Sequence, residues 1–212
     1  MKKSLNAIYT RMEKHYGPTH WWPGDSPFEI AIGAILTQNT AWSNVEKAIV
    51  NLKQKNLLCP RRMIATPLEE LETAVRPSGY YRQKTKRLLT FCEYLIARHQ
   101  GSMAQMGKRP VAELRDDLLA LNGIGQETAD DILLYACEKP IFVVDTYTKR
   151  ILSRHGLAEE NISYHDLQKI FHTNLAMDVA LFKEFHGLIV YTGKDFCRSL
   201  PRCESCPLQD LL

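Results

Sequence analysis

The chain has 212 residues, 45% of them hydrophobic, and a formal net charge of +3. That is enough apolar material for one large domain or two small lobes around a real core, and too little charge for an overwhelming basic field, so any nucleic-acid contact must rest on local clusters. No apolar run is long enough to span a membrane, and Met1-Lys2-Lys3-Ser4 opens without the apolar stretch of a signal peptide, so a cytoplasmic protein is expected.

The predicted elements are helical almost throughout. Gln38 sits between Thr37 and Asn39 in a loop joining two helical stretches. Thr66-Pro67-Leu68-Glu69 reads as a capping box with proline at the first helical position, backed by the apolar stripe Leu68, Leu71 and Val75. Arg76-Pro77-Ser78-Gly79 ends that helix. Tyr80 and Tyr81 then stand beside Arg82, Lys84, Lys86 and Arg87, a basic cluster suited to DNA, with Arg198 and Arg202 in the tail as another; solvated helix faces explain such runs as well. Leu88, Leu89, Cys92, Leu95 and Ile96 give a further amphipathic helix, closing near Gln100-Gly101.

Leu114, Leu118 and Leu119 repeat at helical spacing before Leu121-Asn122-Gly123-Ile124-Gly125, and Ala129, Ile132, Leu133 and Ala136 repeat after it. Two helices therefore meet at a Gly-x-Gly. Glycines turn the chain at positive φ and let backbone N–H groups approach an oxygen, while the second helix points its partial positive end outward. A phosphate is the natural guest, and an ordinary tight turn between helices is the alternative. Next comes Pro140-Ile141-Phe142-Val143-Val144-Asp145-Thr146-Tyr147, where Ile141 to Val144 is strand-like but too isolated to build a sheet. This apolar run delivers Asp145 to the start of another amphipathic segment. Asp145 can cap that helix; an acid at the edge of low dielectric also acts strongly on a nearby developing cation, and one carboxylate can do both.

Of six cysteines, Cys59, Cys92 and Cys137 are scattered at apolar helical positions and read as core residues. Cys197, Cys203 and Cys206 form a compact Cys-x5-Cys-x2-Cys set with metal-ligand spacing.

Taken together, Leu36-Thr37-Gln38-Asn39-Thr40, Arg76 to Tyr81 with Lys84 to Arg87, Leu121 to Gly125, Val144-Asp145-Thr146 and the Cys-rich tail resemble the helix-hairpin-helix (HhH-GPD) DNA glycosylases related to endonuclease III. The resemblance covers nearly the whole chain. Trp21-Trp22-Pro23, Phe28-Glu29 and Gln38 to Trp42 echo the branch that removes 3-methyladenine and other alkylated bases, the MagIII type. It implies an all-α, two-lobed fold. One lobe is a helical barrel over residues 28–138 carrying the helix-hairpin-helix at about 114–136; the other joins residues 1–27 to 139–212 and ends in the Cys-rich loop. DNA is expected across the groove between the lobes, with Asp145 near its mouth.

Mechanism turns on one departure from the bifunctional members. Where the resemblance puts their Schiff-base lysine, two residues after the hairpin's second glycine, this chain has Glu127, and a carboxylate cannot form an imine with the sugar C1′. The resemblance then implies a monofunctional hydrolase in which Asp145 stabilises the oxocarbenium-like sugar and orients or deprotonates water. An alkylated purine is already cationic and leaves without much acid help, which suits a site with one carboxylate; Glu127 reads as a solvated helix-start residue. The target base must be flipped out. Gln38 has the length and amide to fill the gap and pair with the orphaned base, with Asn39, Leu121, Gly123, Ile124, Gly125, Gln126 and Thr128 completing the DNA contacts. Trp21, Trp22, Pro23 and Trp42 are expected to form the base pocket, where a cationic methylated ring gains cation–π attraction over an indole; core packing is the alternative for the tryptophans.

The family's tail holds a 4Fe–4S cluster on four cysteines. Here the first interval is one residue shorter and Leu212 stands at the fourth position, so the resemblance implies a cluster on Cys197, Cys203 and Cys206 with its fourth ligand unidentified. Lys194 cannot coordinate while protonated; without a cluster, Leu200, Pro201, Pro207, Leu208, Leu211 and Leu212 would hold the tail by packing. The expected partner is double-stranded DNA containing damaged bases, engaged by a monomer. Two other functions stay open: an endonuclease III-like glycosylase/AP lyase using Lys139 or Lys149, and a non-catalytic DNA-binding iron–sulfur protein in which Asp145 is only a cap.

Overall fold

The computed structural model describes residues 1–211, the side chains at positions 2 and 3 excepted, and among them it is all-helical, with no strand. The chain divides into two compact units. One is continuous, Gly24–Lys139; the other joins Met1–Pro23 to the chain from Pro140 onward.

Helix α1 (Lys2–Tyr16) belongs to the discontinuous unit, so the continuous unit begins with α2. Helix α2 (Pro27–Leu36) starts where Ser26 accepts from the Glu29 N–H and Pro27 presets the first turn. Phe28, Ala31, Ile32, Ala34, Ile35 and Leu36 are all buried, so this helix is apolar nearly all round and runs through the core. Its one buried acid, Glu29, is met by Lys53 Nζ at 2.7 Å. Helix α3 (Trp42–Gln54) buries Val45, Ala48, Ile49 and Leu52 at helical spacing. Helices α4 (Pro60–Ala65), α5 (Leu68–Val75), α6 (Tyr81–His99), α7 (Met103–Met106), α8 (Val111–Leu119) and α9 (Gln126–Asp131) follow, the last continued by a π-helical turn over Ile132–Ala136 that is wholly buried.

The expected capping box at Thr66 does not form. Helix α5 begins at Leu68 after Pro67 with no side-chain cap, and the Thr66 hydroxyl instead donates to the carbonyl of Arg62, closing α4. The local hydroxyl is satisfied by the helix behind it, so it does not serve the helix ahead. Helix α6 does end as expected, with Gln100 in the left-handed region at φ 58°.

The discontinuous unit packs α1, α10 (Thr146–Arg154), α11 (Tyr164–Asn174) and α12 (Val179–Asp195) around aromatic rings. Phe142 stacks on Phe171 at 3.6 Å between centroids and meets Phe182 edge-on at 5.4 Å. Each such ring, fully buried, contributes about 1.5–3 kcal/mol of apolar transfer. The strand-like run Ile141 to Val144 is entirely buried but pairs with no strand. Three of its backbone groups find side chains of α11: Phe142 N–H donates to His172 Nε2 at 2.9 Å, Gln168 Nε2 donates to the Phe142 carbonyl at 2.7 Å, and Val144 N–H donates to Tyr164 Oη at 3.3 Å. At these groups helix side chains take the place of a neighbouring strand, and the buried segment stays irregular. It ends at Asp145.

Candidate active site

Asp145 caps α10. Its Oδ1 accepts from the Thr148 N–H at 2.7 Å and from the Thr148 hydroxyl at 2.8 Å, while its Oδ2 lies 3.7 Å from Nε2 of His186 on α12. The Asp145 side chain is only 11% exposed. Burial alone would raise its pKa, but the His186 ring and the two Thr148 donors more than offset that and hold the carboxyl below the usual aspartate value. The acid is therefore a buried anion at neutral pH with one oxygen committed to the cap and the other turned toward His186. His186 is absent from the sequence reading; its signal was its place as the single polar side chain in Phe185-His186-Gly187-Leu188-Ile189-Val190.

Two glycines let α12 pack closely against its neighbours. A Cβ on Gly193 would run into the Tyr147 ring, beside Asp145, and one on Gly187 would lie 2.7 Å from Trp21 Cβ. The half-buried Trp21 meets Tyr191 and Trp22 with ring centroids 5.8 Å apart in each case, and Lys194 Nζ lies 5.1 Å from its ring. Pro23 is exposed. Asp145, Trp21 and Trp22 thus belong to the discontinuous unit, whereas Trp42 stands at the first position of α3 in the other, partly exposed, with its Nε1 donating to Glu46 at 3.0 Å.

The hairpin lies in the continuous unit. The Leu121 N–H donates to Leu118, and the Ile124 N–H to Leu121, both at 3.1 Å, carrying the chain from α8 to α9. Of the two glycines only Gly123 sits at positive φ, 86°; Gly125, expected to share that freedom, is in ordinary extended backbone at φ −89° and forms a bare N-terminus for α9. Gly125 and Gln126 are exposed, Leu121 and Gly123 partly so, while Ile124 and Thr128 are buried and anchor the turn. Glu127 is exposed in the first turn of α9. Beneath the turn, Arg115 on α8 grips the fully buried Asp130 on α9 with bonds of 2.8 and 3.2 Å.

Gln38 braces the same hairpin. Its Nε2 donates to the Gly123 carbonyl at 3.1 Å and to the Thr128 hydroxyl at 2.8 Å, and its Oε1 accepts from the Arg87 guanidinium. To enter a duplex, Gln38 must leave these bonds. Asn39, beside it, is exposed at φ 53°, a conformation asparagine tolerates well. The basic cluster loses one member: Lys84 is 1% exposed, and its Nζ donates to the carbonyls of Leu36 at 2.8 Å and Ser78 at 2.5 Å, so it ties the core together rather than facing DNA. Arg82 and Lys86 are exposed, and Arg76 and Arg82 flank the Tyr81 ring at 5.2 and 5.7 Å.

In the tail, Cys197 and Cys206 are buried and Cys203 is exposed, and the three line one pocket. Arg154 Nη1 donates to Cys197 Sγ at 3.4 Å, and the Leu208 N–H points at Cys206 Sγ at 3.5 Å. Among the described residues no three His, Cys, Asp or Glu side chains are close enough to hold a single metal ion. Leu208 is buried, but Leu200 is 86% exposed and Pro201 is exposed, so neither packs the tail; Leu212 lies outside the described residues. Cys92 and Cys137 are core residues as expected, while Cys59 is partly exposed just before α4.

A buried, ionised aspartate closing an apolar run, in an all-helical chain that also carries a glycine hairpin between two helices, defines a class of enzyme acting on DNA bases. Residues 32–177 match the model of the HhH-GPD superfamily of base excision DNA repair proteins. The chain belongs to that family and is a DNA N-glycosylase with DNA as its substrate. It is 42% identical over 208 residues, 97% of this chain and 94% of the relative, to a protein of Methanocaldococcus jannaschii provisionally named a DNA repair glycosylase, MJ1434. Among solved structures it resembles the Helicobacter pylori 3-methyladenine DNA glycosylase MagIII bound to 1,N6-ethenoadenine, with TM-score 0.78 and 31% identity over 91% of this chain and 96% of that one. It also resembles an endonuclease III–DNA complex trapped as a covalent intermediate, with TM-score 0.85 and 27% identity over 100% and 95%. No helix among the described residues is long and apolar enough to cross a membrane.

Proposed function

We propose that this glycosylase is monofunctional and hydrolyses the N-glycosidic bond of alkylated purines such as 3-methyladenine. The observation that carries the reading is the pair formed by Asp145, a buried anion, and Glu127, an exposed carboxylate where a lyase would need an amine. As the base departs, positive charge develops on the sugar. A carboxylate held ionised at low dielectric stabilises that charge without having to reorganise, because Thr148 already fixes its orientation. Its Oδ2 then orients the attacking water or accepts its proton, with the His186 ring beside that oxygen. A cationic leaving group supplies the rest of the driving force, and the indoles of Trp21, Trp22 and Trp42 select for it by cation–π attraction. The likeness to a 3-methyladenine glycosylase holding an ethenoadenine supports a purine pocket.

The hairpin, with the N–H groups after Gly123 and Gly125, is assigned to phosphate contacts, Gln38 and Asn39 to the gap left by the flipped base, and a single chain to one lesion. A cytoplasmic place beside the chromosome fits the unpaired Cys59, Cys92 and Cys137. The tail is assigned to a 4Fe–4S cluster on Cys197, Cys203 and Cys206. Convergence of three sulfurs on one pocket, each of the two buried ones facing an N–H donor, supports this. The cluster would supply structure, pinning the loop that follows α12, and it has no part in the Asp145 chemistry.

Purified protein incubated with methylated duplex DNA tests the reading. Free 3-methyladenine with strands intact until alkali establishes it. Strand nicking before alkali, together with borohydride trapping, would transfer the chemistry to a lysine such as Lys139 or Lys149.

A further inference from the structure

Three thiolates leave a cubane one ligand short, and the position at which the family pattern has its last cysteine is Leu212, a side chain without a donor atom. Apart from the three sulfurs, one side chain lining the tail pocket suits iron: His155, at the C-terminal end of α10. Arg154 and Arg202, which line it too, stay protonated and cannot coordinate.

The hydrogen bonding of His155 fixes what its ring offers. Nδ1 lies 2.8 Å from the carbonyl of Ile151. A carbonyl only accepts, so the proton is on Nδ1 and Nε2 carries a lone pair in the neutral ring. Nε2 is buried and has no hydrogen-bond partner. A buried polar atom in that state carries its full desolvation cost, and such atoms in native proteins call for an explanation. An Nδ1–H bond to a backbone carbonyl, with Nε2 left bare, is how metal-ligating histidines set their tautomer and orientation. The N–H donors to Cys197 and Cys206 point independently to a group at this place that draws charge onto the sulfurs.

We propose that His155, through Nε2, is the fourth ligand of the cluster held by Cys197, Cys203 and Cys206. The assignment rests on the cluster reading above. The fourth ligand then comes from the helix whose other end is capped by Asp145, and not from the chain terminus.

Anaerobic reconstitution of the full chain with iron and sulfide tests it, read by iron and sulfide content and by pulsed EPR of the reduced protein. The wild type is expected to bind about four irons per chain and to show a nitrogen hyperfine coupling. His155→Cys should keep the iron and lose that coupling; His155→Ala should lose part or all of the iron. A His155→Ala protein that loads as the wild type does, with the nitrogen coupling intact, overturns the assignment. So does a His155→Cys protein that retains the coupling, which decides the matter even if His155→Ala fails to fold. A wild type that binds no iron, or binds only zinc, instead removes the cluster reading itself, and the ligand assignment with it.

Discussion

His186 Nε2 stands 3.7 Å from Asp145 Oδ2, on the side of the carboxylate that the helix cap leaves unused. Asp145→Asn keeps an oxygen for Thr148 and removes the charge. Base release should fall to background while binding to damaged duplex persists, and the melting temperature should fall modestly at neutral pH; activity surviving the change would take Asp145 out of the mechanism. Because the folded-state pKa is depressed, its stabilising contribution is present above the unfolded aspartate value and is lost as pH falls through the folded one. The melting difference between wild type and Asp145→Asn should therefore shrink on acidification.

The two hairpin glycines should respond differently to alanine. At Gly123, φ of 86° and a Cβ only 2.7 Å from Arg87 Cγ predict a loss of about 1–2 kcal/mol in stability from backbone strain alone. At Gly125, φ is −89° and a Cβ meets nothing within 4 Å, so the fold should be unaffected while DNA affinity falls. Thermal melts and duplex titrations separate the two; equal affinity for Gly125→Ala and wild type would remove this edge of the hairpin from the DNA contact.

Arg115→Ala removes both guanidinium hydrogen bonds from the fully buried Asp130 carboxylate. A loss of about 3–5 kcal/mol is expected in denaturant unfolding. Replacing both partners with apolar residues should recover much of it.

Lys84 predicts an unusual alkaline signature. Burial, and to a lesser extent the nearby Arg87 charge, lower its pKa to about 8 in the folded protein, whereas the unfolded chain holds that proton up to the ordinary lysine value. Above about pH 8 the unfolded state binds more protons, so stability from this group rises with pH. Comparing melts of wild type and Lys84→Met, the difference should move in favour of wild type between neutral pH and pH of about 10. A pH-independent difference would mean that Lys84 keeps an ordinary pKa.

Trp42 is partly exposed and hydrogen-bonded to Glu46, so Trp42→Ala should cost little stability. Release of 3-methyladenine should drop far more than binding to undamaged DNA. Equal losses in both would reassign the indole from base selection to packing.

The helices were legible because each carries its own stripe of apolar residues: Leu114 and Leu118 are buried before the hairpin, and Ala129, Ile132, Leu133 and Ala136 after it. Asp145 as a cap was legible for the same local reason. What the sequence hid depends on distant partners. Lys84 reads as surface charge until two carbonyls, 48 and 6 residues away, claim its protons. Thr66 is a fitting N-cap until the preceding helix takes its hydroxyl. Ile141 to Val144 has strand-like residues, yet the partners it found were side chains of α11, which no local pattern announces. His186 and His155 carry no motif of their own, and only packing brings them beside an acid and a set of thiols.

Because the cap of α10 asks only for an oxygen and the chemistry asks for a charge, the two demands on Asp145 can be separated by a single atom exchange. The asparagine form would be a folded reader of damage that never clears its site. Immobilised, it becomes bait for fishing modified bases out of genomic DNA, and the lesions it retains would give the substrate range directly, without any need to guess which bases to supply.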